Sequence, residues 1–431
     1  MKKIVLLSER LPFPPTSGTK NLLYNYCRIF HDNLGMSVVN ISFTESDDDV
    51  SLKPKFIDKV YELPNPSGAA KIKNLIVETF VKHKFPMQVS LFWDASIKRK
   101  VDEIVKSEKP DYVIADLVRT AEYLKDFEGL KILDMQDLFS LRYERQLAVD
   151  IDSVNPYGSY LFRFPKLVQK MLDTNIIKKA VMGFEIRLLK KYEIEAGRIY
   201  DRVMFVARKE AEYYDRALGK RRALVAPLGV DIEYFSSSWD ITKKPMSIAF
   251  MGALSVAHNE NGIIHFVKCI LPMISEKKLG AKLYVIGGGA GSKVKALESE
   301  NVILTGRVDD VRVAIRSCDV FVCPLQFGSG IKTKNLEAMA MGIPVVTTTI
   351  GAENIDAENG RDWYVAEDDQ EFADCVCALL KDSELRERIG RNGQEFVKKY
   401  FTWANAEAAF RKALNMENER IVKTVGGYYI E

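Results

Sequence analysis

Residues 320–348 read VFVCPLQFGSGIKTKNLEAMAMGIPVVTT, and they concentrate side chains suited to a phosphorylated ligand. An apolar strand ending in Pro324 runs into a loop with Gly328, Ser329, Gly330 and Ile331. Good helix formers follow from Asn335 to Met341, and Gly342 closes the run. Glycines let a backbone approach a ligand closely, and a helix head offers unpaired N–H groups and a positive dipole end. Lys332 and Lys334 set two cations beside that head, so the unit suits a diphosphate. Glu337, in the first turns of the helix, is a carboxylate able to accept from both hydroxyls of a ribose diol. Residue types alone leave a second reading open: a glycine turn with Glu337 as a solvated or capping acid.

Two other signals carry less chemistry. Gly287-Gly288-Gly289-Ala290-Gly291 follows an apolar strand, but the third glycine of a dinucleotide loop would fall at Ser292, so it reads as a tight turn. Asp309-Asp310 opens a helix, where one acid caps and the other meets the dipole, and no metal pair is expected. The six cysteines form no C-x-x-C pair and the four histidines are scattered. Buried, reduced thiols are expected, with no zinc site, disulfide framework or cofactor.

These residues need elements to hold them. Short apolar runs at 3–7, 37–42, 112–115, 131–134 and 202–206, then at 247–251, 282–286, 302–304, 320–324 and 344–348, alternate with longer helical stretches such as 22–31 and 98–107. That alternation predicts parallel α/β sheets with strands buried on both faces. Between the two series lie Pro227-Leu228-Gly229-Val230-Asp231 and the polar stretches 236–238 and 242–245, which read as a linker. The expected domains are 1–226, 227–402 and a C-terminal helix and tail at 403–431.

At 431 residues the chain is too long for one ordinary core, and two domains are expected. Hydrophobic residues at 47% and charged residues at 28% are those of a soluble globular protein, and a net charge of +3 carries no nucleic-acid footprint. Ser8-Glu9-Arg10 interrupts the first apolar run too early for a signal peptide, and no run approaches the roughly 20 apolar residues of a membrane span. A cytoplasmic protein is expected. Residues 163–191 carry eight Lys and Arg among Leu, Ile, Met and Phe. They form either a basic amphipathic surface resting on anionic lipid at the inner membrane face or a solvated helix face.

The stretch GSGIKTKNLEAMAMGIPVVTT closely resembles the nucleotide-binding signature of the retaining glycosyltransferases of GT-B fold, the group 1 or family 4 type. FMGALSVAHNENGIIHFVKCILPMI, KLYVIGGG and VILTGRVDDVRVAIRSCDVFVCPL resemble the rest of that family's second domain, in the family's order. PLGVD is similar to its linker, and LPFPPTSGTKNLLYNY and KILDMQDLFSLRYERQ resemble parts of its first domain, so the likeness spans nearly the whole chain. The resemblance implies two Rossmann-like domains facing a cleft, with the C-terminal helix crossing back to the first. It also implies sugar transfer from a nucleotide diphosphate donor to a glycan or lipid-linked glycan, with retention and without a metal.

Carried over by residue, Glu337 would hold the donor ribose, and Lys332 and Lys334 would neutralise the diphosphate with amides of Gly328, Ser329, Gly330 and Ile331. The backbone around Arg307 and Val308 would face the base. Gly252 would mark the loop after the second domain's first strand, and the Gly18 loop would close over the donor. Ser329 stands where the family often has a glutamate, and Ala253-Leu254 where an arginine often follows the glycine. Ligands bind beyond the carboxyl ends of parallel strands, which makes Asp116 the first choice of acid or base near the acceptor and Asp137 the second; capping a helix is the alternative for each. A nucleotide-sugar epimerase, a phosphorylase of similar build, or a nucleotide-sugar-binding protein without activity are the competing readings.

Overall fold

A computed structural model describes residues 1–45, 48–149, 174–237, 241–328 and 330–416. The chain divides into two compact units, one of Met1–Leu228 with Trp403–Glu431 and one of Gly229–Thr402.

The first unit holds a seven-stranded, all-parallel sheet of β1 (Lys3–Ser8), β2 (Ser37–Phe43), β3 (Lys59–Leu63), β4 (Tyr112–Asp116), β5 (Leu130–Gln136), β6 (Arg202–Phe205) and β7 (Ala223–Val225). Its order is β3-β2-β1-β4-β5-β6-β7, so the chain winds outward in both directions from β1. Successive side chains of a strand point to opposite faces. Val5, Leu7, Val113, Ala115 and Leu133 accordingly enter one core, while Ile4, Leu6, Ile114 and Ile132 enter the other. Phe410 and Ala413, from the helix Trp403–Ala413, complete the second core, so the last helix belongs to the first sheet.

The second unit holds a six-stranded parallel sheet of β8 (Ser247–Met251), β9 (Lys282–Ile286), β10 (Val302–Gly306), β11 (Val320–Cys323), β12 (Val345–Thr348) and β13 (Tyr364–Ala366), in the order β10-β9-β8-β11-β12-β13. Both sheets are doubly wound and Rossmann-like, as the alternating pattern implies. Strand order reverses beside β8, and ligands of such sheets bind at the carboxyl ends next to that reversal. The strand expected at 320–324 ends at Cys323, because Pro324 has no N–H to give a ladder. β3, β7 and β13 were not expected; each is an edge strand.

All six cysteines are free, four of them buried. Of the basic stretch 163–191, residues 163–173 lie outside the described residues. The remainder lies in the helix Asn175–Ile199, whose Lys178 is buried and whose Lys190 pairs with Glu144 at 2.5 Å. Among the described residues, no helix is long and apolar enough to cross a membrane.

Candidate functional site

At the carboxyl end of β11 the chain turns through Gly328 and Gly330, with φ of +132° and +76°. Side chains with a Cβ rarely adopt these angles, so the glycines earn their place by conformation. Ser329 lies outside the described residues. The helix Thr333–Ala340 begins directly after, two residues earlier than expected, with Lys332 as its N-cap and no side-chain hydrogen bond closing its head. Buried Asn335 ties the helix down by donating to the Gly351 carbonyl at 2.9 Å. Thr347 and Thr348 of β12 donate to the carbonyls of Cys323 and Leu325, at 3.2 and 2.6 Å. The loop is thus hung from the sheet at both sides.

Lys332 is buried, and its Nζ donates to the Gly330 carbonyl at 2.7 Å, folding the ammonium back over the glycine loop. Lys334 is half-buried; its Nζ donates to Asn259 Oδ1 at 2.6 Å and lies 4.9 Å from the Phe250 ring centroid. Burial lowers the Lys334 pKa, with Cys323 and Glu337 opposing that shift. Glu337 stands one helical turn beyond Lys334 on the same face. Burial pushes its carboxyl up to about 7, only partly offset by Lys334. His258 completes the group: its Cγ is 3.9 Å from where a Gly328 Cβ would stand, and Lys332 Nζ is 3.7 Å from the same point. Burial first, then the two lysines, lower its pKa to about 4, so it is neutral at pH 7.

The neighbouring strand ends meet here. Gly252, after β8, donates its N–H to the Ile286 carbonyl at 3.0 Å, and Gly287 donates to Gly306 at 2.9 Å. Exposed Arg307 packs its side chain close to Gly288, and half-buried Val308 follows. The structure therefore gathers Gly328, Gly330, Ile331, Lys332, Lys334 and Glu337 around one helix head, with Gly252 and Arg307 on adjacent strand ends. Asn259 and His258 were missed as site residues. They lie within a stretch recognised for its family likeness, but their partner lysines are far along the chain.

Gly18 and Asp116 belong to the first unit. Gly18 is exposed and opens the helix Gly18–Arg28, capped by Ser17. Asp116 ends β4 with a 0% exposed side chain; it accepts from the Glu9 N–H at 3.2 Å and from Gln136 Nε2 at 2.6 Å. Burial and the charge of Glu9 raise its pKa to about 7. Leu117 and Gln136, at the ends of β4 and β5, have φ of +63° and +57°. Strained backbone at two adjacent strand ends is a mark of a working edge. Asp137 is buried and receives the Arg142 guanidinium, with Nε at 2.7 Å. Glu9 in turn accepts two bonds from Arg119, at 2.6 and 2.7 Å. Neither Asp116 nor Asp137 stands open at the surface; each is buried and held by the partners just named.

One cluster away from these edges has metal-ligand types. His265, Cys269 and Asp369 bring their ligand atoms within 4.8 Å of one another, and His265 Nε2 lies 2.7 Å from Asp369 Oδ1. That hydrogen bond accounts for two of the three side chains. Asp310 acts as the expected N-cap, accepting from the Arg312 N–H at 2.8 Å.

Residues 245–382 match the family described as glycosyl transferases group 1. The chain is 21% identical to an uncharacterized 44.6 kDa protein in the cps region of Klebsiella pneumoniae, covering 93% of this chain and 97% of that protein. It is 27% identical to the capsular polysaccharide biosynthesis glycosyltransferase CapM of Staphylococcus aureus, covering 35% of this chain and 43% of that one. Among solved structures it is similar to Anabaena Alr3699/HepE in complex with UDP, with a TM-score of 0.63, 15% identity, and 96% and 100% of the two chains covered. At that identity the likeness speaks for the fold.

Proposed function

Because the chain belongs to the group 1 glycosyltransferases, nucleotide-sugar enzymes of GT-B fold that retain anomeric configuration, we propose that it transfers a hexosyl group from a UDP-sugar to a growing polysaccharide such as a capsule. One observation carries the assignment of the donor site: Lys332, Lys334 and the uncapped helix head crowd one glycine loop, with Glu337 a turn deeper. Cations and amides converge where a diphosphate would sit, and a carboxylate lies where a ribose would follow. The amides of Gly328, Gly330 and Ile331 are assigned to complete the cradle, the backbone at Arg307 and Val308 to face the base, and Gly252 to let the β8 loop approach.

In the transfer, the bond between the anomeric carbon and the diphosphate oxygen breaks, and its electron pair leaves with the diphosphate. An acceptor hydroxyl bonds to the same carbon on the face the diphosphate leaves, and its proton passes to the departing diphosphate oxygen. The transition state is oxocarbenium-like, so stabilising the departing charge is where the protein gains most. Lys332, Lys334 and the helix head do this in the role a divalent cation fills elsewhere. On the acceptor side we assign Asp116 and Asp137 as positioning residues. Asp116 orients the Glu9 backbone and Gln136, and Asp137 orients Arg142.

Lys334→Ala tests the donor site. A hydrogen bond to a charged group is worth about 1.5–3 kcal/mol, so UDP affinity by calorimetry is expected to fall by about 10–100-fold with folding unchanged. Wild-type affinity in this variant would refute the assignment. Transfer is also expected to continue at its full rate in excess EDTA; a rate restored only by added Mg²⁺ or Mn²⁺ would overturn the cation-free reading.

A further inference from the structure

Asn259 is the third residue of the helix Ala257–His265 and is 5% exposed. Its side chain makes two bonds to groups with fixed roles. Nδ2 donates to the Ala253 carbonyl at 3.0 Å, and Oδ1 accepts from Lys334 Nζ at 2.6 Å. A carbonyl only accepts and an ammonium only donates, so the amide has one orientation that satisfies both. The backbone closes on it as well: a Cβ at Gly252 would stand 2.8 Å from Asn259 Cγ. One amide thus joins the loop after β8, the head of one helix and a lysine from the head of another.

Lys334 needs such a partner. Its ammonium is largely withdrawn from water, which disfavours its charge. The Phe250 ring face supports the cation from one side. A neutral carbonyl can anchor the ammonium without cancelling its charge, and an ammonium has three donors, so two remain for an anion. An aspartate would anchor it equally well and neutralise it.

We propose that Asn259 is the positioning residue of the diphosphate site, its side-chain amide holding the Lys334 ammonium at the head of the Thr333–Ala340 helix before the donor arrives. This rests on the donor-site reading above. Loss of the amide leaves Lys334 charged but unplaced, and removes a hydrogen bond that favours its charged form. Cys323 and Glu337 still favour that charge, while Lys332 and His258 add none that does.

Calorimetry with UDP on Asn259→Ala, Asn259→Asp, Lys334→Ala and the Asn259→Ala/Lys334→Ala double variant tests this. Asn259→Ala is expected to weaken UDP by about tenfold, within the range for a hydrogen bond to a charged group, and to add nothing once Lys334 is gone. The alkaline loss of UDP binding, where Lys334 gives up its proton, is expected to move to lower pH in Asn259→Ala. Asn259→Asp is expected to bind UDP as weakly as Lys334→Ala while keeping its fold, since an acid in the first turn of a helix suits the dipole. Wild-type UDP affinity in Asn259→Asp, or Asn259→Ala and Lys334→Ala effects that add in full, would overturn the proposal while leaving the donor site standing. Wild-type affinity in Lys334→Ala would instead remove the donor-site reading.

Discussion

Lys334 and Glu337 are three residues apart on one helix, and burial pushes each toward neutrality: the lysine pKa falls and the glutamate rises to about 7. A carboxylate accepts from both ribose hydroxyls only when ionised. Donor binding should therefore favour the ionised form and release a proton near pH 7. The sign follows: UDP affinity is expected to be full above about pH 7 and to decline below it, by at most about tenfold per pH unit for one proton. Glu337→Gln should bind more weakly and keep only the shallower acid limb of the UDP terminal phosphate, which itself takes up a proton at about pH 6, read by titrating UDP from pH 5.5 to 8.5. An unchanged acid limb in Glu337→Gln would assign it to another group. His258, already neutral here, adds nothing to that window. Lys332, Lys334 and Glu337 were legible in the sequence because loop, lysines and helix are contiguous. Asn259 was not, since its bond to Lys334 spans 75 residues and only the folded sheet brings the two together. Asp116 was singled out for its position at a strand end, but it is fully buried and its hydrogen bonds come from Glu9 and Gln136, partners no local pattern reveals.

Elements divide by where they stand in the sheets. The central strands announce themselves because both faces are covered: β1 and β4 are apolar almost throughout. The strands that escaped the pattern, β3, β7 and β13, are all at edges, and they are short or polar. KVYEL in β3 has exposed Lys59 and Glu62, and every residue of β7 is only half-buried. Charge on an edge strand discourages pairing with another chain, and it also erases the apolar run that betrays a strand. The stretch after β9 is the turn expected, with Gly287 and Gly289 at positive φ, and its packing shows why glycine is needed there. A Cβ on Gly287, whose φ is +142°, would stand 2.0 Å from the Gly252 carbonyl oxygen. Backbone cannot yield as a flexible side chain does, so Gly287→Ala must push the β8 and β9 ends apart. Such strain costs about 1–3 kcal/mol. Gly287→Ala is expected to lower the unfolding free energy from denaturant titration by that amount and to weaken UDP binding as the Gly252 loop shifts. Gly280→Ala, with φ of +66° but nothing within 4 Å, separates the two effects: it should cost stability through the backbone alone and leave UDP binding intact.

On the scale of the whole chain, the first unit is discontinuous: residues up to Leu228 form its sheet, and the helix Trp403–Ala413 returns to finish one of its cores. The sequence marked a helix after the last strand, and the family likeness gave its destination. The packing supplies the reason. Phe410 is 0% exposed and meets Tyr26 and Phe30 edge to face, with ring centroids at 4.6 and 4.7 Å. Those two rings come from the helix Gly18–Arg28 and the turn after it, the same helix that begins with Gly18. Arg411 anchors the far side by donating to the Asn33 carbonyl at 3.0 Å, and Asn33 reaches Glu407 at 2.7 Å. Without the returning helix the core that Tyr26 and Phe30 share with this face of the sheet would be left unfilled on one side, so the first unit completes that core only after the second has been synthesised. Truncating a buried aromatic costs about 3–5 kcal/mol through lost transfer energy and the cavity left behind. Phe410→Ala is therefore expected to raise amide hydrogen exchange in peptides spanning residues 18–33 and β1, while peptides from β8 to β12 keep their protection. Equal loss of protection in both sets would mean that the returning helix does not act through the core it fills.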